Sequence, residues 1–200
     1  AVRPERLILP PPPAGSGPPL QPFGLGPAGP PTDHVERERL VHHHGYLWSG
    51  PKERFDNEAL RRPPYPVPPL PPEPGDHKAL EVYLRYREVA AEFPTSDLPP
   101  LESAYWLMKP GSLIQGTWGD AKEAAAWLGE RLTEFAPRFT AARDRDTTHL
   151  AQVVNTAAER LHCGADVSYG CYLERPSYLS LAVVTCSPNR SSPELACPVR

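Results

Sequence analysis

The placement of proline constrains this chain more than any other feature. Twenty of its 29 prolines fall within residues 1–75 and only nine within the remaining 125. Each proline fixes φ and removes a backbone donor, so neither a helix nor a central strand persists through Pro10 to Pro13, Pro18-Pro19, Pro30-Pro31 or the run from Pro63 to Pro74. Polyproline II or irregular extended chain is the expectation there. Collagen is excluded, because the 14 glycines show no G-X-Y period. The chain therefore divides into a proline-rich extended arm, residues 1–75, and a globular domain, residues 76–200. Within the arm, residues 40–60 form an aromatic island (Tyr46, Leu47, Trp48, Phe55) with enough apolar surface to dock on the body.

Beyond residue 75 the pattern alternates between helices and hairpins. Asp76 caps a helix in which Val82, Tyr86, Val89 and Phe93 recur at helical spacing until Pro94. Residues 103–108 and 112–118 flank the turn signal Lys109-Pro110-Gly111 and read as a hairpin. Asp120 and Glu123 have capping-box spacing ahead of Trp127, Leu128, Leu132 and Phe135. A third helix, about residues 147–163, stops at Gly164. Val167, Tyr169, Cys171 and Leu173 then alternate with polar neighbours, and residues 178–186 form a strand apolar on both faces in its middle. The expected fold class is α+β: antiparallel β-hairpins packed against about three helices, with the extended proline-rich arm at the N-terminus.

Charge and hydropathy remove several classes of function. A net charge of −3 supplies no bulk attraction to nucleic acid or to an anionic membrane. No run approaches the roughly 20 apolar residues of a membrane helix. The first residues lack a basic-then-apolar signal pattern, which does not fix the compartment; the cytoplasm is expected ahead of secretion.

Two groups of residues point to function. Pro64, Tyr65, Pro66, Pro69, Leu70 and Pro72 offer several P-x-x-P registers, the pre-extended form that aromatic grooves recognise. They are the candidate contacts for a protein partner or a second copy of the chain. Residues 42–44 are three consecutive histidines, and in an extended segment His42 and His44 share one face. Such a pair suits a divalent metal such as zinc, with a third ligand from His34, His77 or a carboxylate and an open position for water. The four cysteines, Cys163, Cys171, Cys186 and Cys197, lack the close pairs of a zinc knuckle. Cys171 and Cys186 read as inert core thiols, Cys197 as a candidate staple for the last segment, and Asn189-Arg190-Ser191 as a glycosylation sequon. No residue can be given a catalytic role. The expectation is a non-catalytic binding or accessory protein whose arm packs on its own core or on a partner, with a small metal-assisted hydrolase or effector-like enzyme at His42/His44 as the alternative.

Overall fold

The computed structural model describes residues 41–199. Most of the proline-rich arm, and with it His34, lies outside the described residues. Strand β1 (His42–Pro51) runs into a short helix, α1 (Lys52–Asp56), and a 3₁₀ turn, Glu58–Arg61. An extended stretch then leads to helix α2 (His77–Glu92). Two further 3₁₀ turns, Ser103–Met108 and Gly111–Leu113, precede β2 (Ile114–Trp118). Helix α3 (Ala121–Phe135), the short α4 (Ala142–Arg145), helix α5 (Thr147–His162) and the hairpin of β3 (Val167–Tyr172) and β4 (Ser177–Cys186) complete the chain. The fold is α+β, and its single described sheet is antiparallel throughout in the order β2-β1-β4-β3.

That order corrects the domain boundary. The island at residues 40–60 is not docked on a finished body: its first half is a central strand, paired with β2 over His43 to Tyr46 on one side and with β4 over all ten of its residues on the other. Proline does not forbid this, because the stretch 42–50 contains none and Pro51 falls at the strand's last position. Tyr46, Leu47 and Trp48 supply the bulky side chains a sheet favours. Residues 103–108 likewise depart from the expected hairpin. They wind into a 3₁₀ turn because Ala104, Trp106 and Leu107 all bury, and Trp106 stacks on Tyr46 with ring centroids 4.6 Å apart. The segment covers a sheet face instead of extending an edge.

Both faces of the sheet are covered. On one, Leu47, Leu181 and Val183 meet Leu128 and Leu132 of α3 and Leu161 of α5. Gly45 is required here, since a Cβ would sit 2.8 Å from the Trp127 ring and 2.9 Å from that of Trp118. On the other face Tyr46, Ala182, Val184 and Cys186 pack under Trp106, Leu107 and Cys197. Two of the three long helices start as the sequence predicts, at Asp76 and Asp120, and Asp146 caps the third; each aspartate accepts from first-turn amides, at 2.7–3.1 Å. Gly164 follows α5 at φ +74°, the left-handed stop that glycine tolerates best.

Helix α2 is fastened mainly at its end. Phe93 is buried, and its carbonyl accepts a hydrogen bond from the buried Lys109 ammonium, which also lies 3.8 Å from the Phe93 ring centroid. No described helix is long and apolar enough to cross a membrane.

Candidate metal centre

Alternation along β1 places His42, His44 and Tyr46 on the face away from α3 and α5. The antiparallel register with β4 sets Cys186 directly across from His42 and Val184 across from His44. Residues 187–199 then fold back over this corner, steered by Asn189. Its Oδ1 accepts the amides of Ser191 and Ser192 at 2.9 and 3.0 Å, and its Nδ2 donates to the Thr185 carbonyl at 2.7 Å and to Asp166 Oδ1 at 3.0 Å. Asp166 also accepts the Thr185 amide at 2.9 Å, while burial pushes its carboxyl upward. The turn back brings Cys197 down onto the two histidines.

The result is a four-donor cluster. His42, His44, Cys186 and Cys197 each offer one ligand atom, all within 4.8 Å of one another. The Nε2 atoms of His42 and His44 are 3.1 Å apart, and Cys197 Sγ is 3.5 Å from each. A tetrahedral zinc ion with its usual bond lengths requires about 3.3 Å between two nitrogens and about 3.6 Å between nitrogen and sulfur. Three edges of the ligand polyhedron are therefore already close to their required lengths. A donor set of two nitrogens and two sulfurs favours zinc over magnesium or calcium, which take oxygen donors.

The surroundings hold the ligands in the right form. His44 is fully buried; burial first, then the neighbouring His42 and His43, lowers its pKa to about 4. It therefore stands as a neutral imidazole at physiological pH, the state that binds metal. Its Nδ1 lies 2.8 Å from the Thr117 hydroxyl on β2, so an Nδ1–H donated to that oxygen leaves Nε2 free to coordinate. His43 points to the other face, where its Nδ1 meets the Thr185 hydroxyl at 3.1 Å, and burial lowers its pKa as well.

The structure brings together His42 and His44 but not His77, which sits exposed as the first residue of α2 and outside the cluster. A helix start is held by its capping aspartate and keeps its side chains toward solvent, so His77 does not complete this site. The missing donors are instead the two cysteines whose sequence spacing argues against zinc. Cys186 reaches the site through sheet register and Cys197 through the Asn189 turn, and neither relation appears in a local motif. A cysteine ending a strand that pairs with a H-x-H strand was the one usable signal, available only once β1 is recognised as a strand of the same sheet. Cys171 does behave as a core thiol: burial, then Asp144, pushes it up to about 12. None of the four cysteines forms a disulfide among the described residues, and Cys163 is the exposed one. The sequon reading is corrected too, because Asn189 is 1% exposed and its amide is committed on both sides.

The proline-rich candidates lie elsewhere. Tyr65 is 83% and Leu70 86% exposed, Pro66 is exposed, and Pro64, Pro69 and Pro72 are half-buried. Pro64, Tyr65, Pro66 and Pro69 line a groove of about 820 Å³ with Val82, Tyr86 and Val89 of α2 and with Leu101 and Tyr105. No family model, no curated protein and no solved structure matches the chain.

Proposed function

We propose that this is a non-catalytic binding protein in which one zinc ion, held by His42, His44, Cys186 and Cys197, locks the segment after β4 onto the sheet, and that residues 63–72 are its surface for a protein partner. The observation that carries the zinc reading is the set of three donor separations matching a tetrahedral ion. Four protein donors complete that tetrahedron, the arrangement of structural zinc, whereas a hydrolytic centre keeps one position for water. The competing reading, a metal-assisted hydrolase at His42/His44, would need Cys186 or Cys197 to stay off the metal.

The test is elemental analysis and cobalt substitution of the purified full chain. One zinc per chain, and a cobalt spectrum with thiolate charge-transfer bands that Cys197→Ser weakens, are expected. Metal-free protein whose melting temperature ignores added zinc would dispose of the reading. The partner surface rests on the exposure of Tyr65, Val67 and Leu70, a pre-extended apolar ridge that the body does not cover. Saturable binding of a 60–75 peptide to SH3 or WW modules, lost on Tyr65→Ala with Leu70→Ala, supports it; binding to none of them counts against it.

A further inference from the structure

Helix α2 is sixteen residues long and buries none of them. Isolated helices of that length are marginal in water, and packing normally supplies the difference. Leu80, Val82 and Leu84 are 41%, 54% and 53% exposed. Together with Tyr65, Val67 and Leu70 they account for six of the nine exposed large hydrophobic residues described, all within residues 65–84. Val82 lines the groove together with Tyr65 and Val67, while Leu84 lies on the adjoining side of the helix with Glu81, Arg85 and Glu88; exposed apolar residues on either side of one charged stripe mark a place that another surface covers.

The charges on α2 indicate what that surface is. Lys78, Glu81, Arg85 and Glu88 fall at i, i+3, i+7 and i+10, a single stripe along the helix, with Leu84 beside its middle and Val82 at its border. All of these residues are exposed. If a second α2 lies antiparallel across the stripe, with the two-fold axis at the level of Tyr83 along the helix, Glu81 faces Arg85 of the other copy and Lys78 faces Glu88. The symmetry repeats both pairs, so four opposite-sign contacts form and Leu84 meets its own copy. A parallel arrangement would set every charge beside its own kind. The Arg85–Glu88 ion pair within the helix, at 2.6 Å, is exposed and therefore weak; it leaves Arg85 able to bridge to the second chain.

We infer that the occupant of this face is a second copy of the chain, docked through α2 in an antiparallel two-fold dimer. The interface is isologous, as most homodimers are. It lies outside the zinc cluster and does not depend on that reading.

The experiment is sedimentation equilibrium of the zinc-supplemented full chain over a wide concentration range, with charge exchange at two positions. The wild type is expected to associate to a dimer. Glu81→Arg alone and Arg85→Glu alone each create two like-charge contacts and should weaken the dimer at least about tenfold. The double variant, Glu81→Arg with Arg85→Glu, restores the opposite-sign pairs and should return association to near the wild-type value. Both positions are exposed, and circular dichroism together with zinc content checks that fold and metal site are unchanged. A monomer at every concentration, single variants that associate as the wild type does, or a double variant no better than the singles would each overturn the proposal; the first would hand the face to a different protein partner.

Discussion

The corner where β1 meets β4 and the outer face of α2 solve opposite problems. At the corner, polar groups are buried and nearly all are committed: His44 to Thr117, His43 to Thr185, Asn189 to Asp166 and the backbone, and four metal-ligating atoms to one another. On α2, Leu80, Val82 and Leu84 are exposed, and no residue of the helix is buried by the other described residues. A buried polar site must be completed by its own chain, since unpaired groups there cost about 1–3 kcal/mol each. An exposed apolar face costs the isolated chain less, and association can cover it later. On the readings proposed above, the first region holds an ion and the second meets another surface.

Removing the metal should have the largest effect. A site saturated at about 1,000 times its Kd adds about 4 kcal/mol, so chelation or His44→Ala is expected to lower Tm by about 10 °C in a domain of this size. Hydrogen exchange should show the loss concentrated in residues 187–199 and the β1–β4 end, with α2 unchanged. Equal loss across both regions would erase the contrast.

Lys109 links α2 to the body and supplies a pH test. Burial lowers its pKa from the ordinary 10.5 to about 8, with Asp97 opposing. The folded chain thus holds this proton less tightly than the unfolded chain does, and stability should rise as pH increases from about 8 toward 10.5. The contribution is lost as pH falls through 8. For so buried a group the span is on the order of 3 kcal/mol. Denaturant midpoints between pH 8 and 10 should rise in the wild type and stay flat in Lys109→Met. A flat wild-type profile would mean that the ammonium is solvated.

Asn189→Ala should cost about 2–3 kcal/mol, because it removes the side-chain donor to Asp166 and to the Thr185 carbonyl and the acceptor of two backbone amides. Zinc affinity should fall with it, since Cys197 loses its approach; an unchanged affinity would separate the turn from the site. The smallest expected change is at the other region. Asp76→Ala removes the α2 cap and should cost about 1 kcal/mol, read as fraying at His77 to Leu80 with zinc content unaltered. A drop in zinc content would show the two regions to be coupled.

Much of the local structure was readable before any coordinates. The caps at Asp76 and Asp120, the helical stripes, Gly164 and the β3–β4 hairpin depend on residues within one or two turns of each other, so local pattern reports them directly. His42 and His44 sharing a face follows from the two-residue period of any strand. The hairpin expected at 103–118 failed because short apolar runs fit a strand and a buried turn equally well, and only the stacking of Trp106 on Tyr46 chooses between them. His77 was drawn in by residue type alone, while its place at an exposed helix start keeps it out of the cluster.

By itself, then, the sequence determined where this chain bends, caps and turns, and that proline keeps regular structure out of residues 63–74. Tertiary structure alone decided that β1 is a central strand between partners up to 144 residues away, that Cys186 stands across from His42, and that Cys197 closes the cluster. The reason is physical. Local signals arise from backbone sterics and short-range hydrogen bonds, whereas strand order is set by which side chains fill the space between layers, and that fit exists only after the chain has folded.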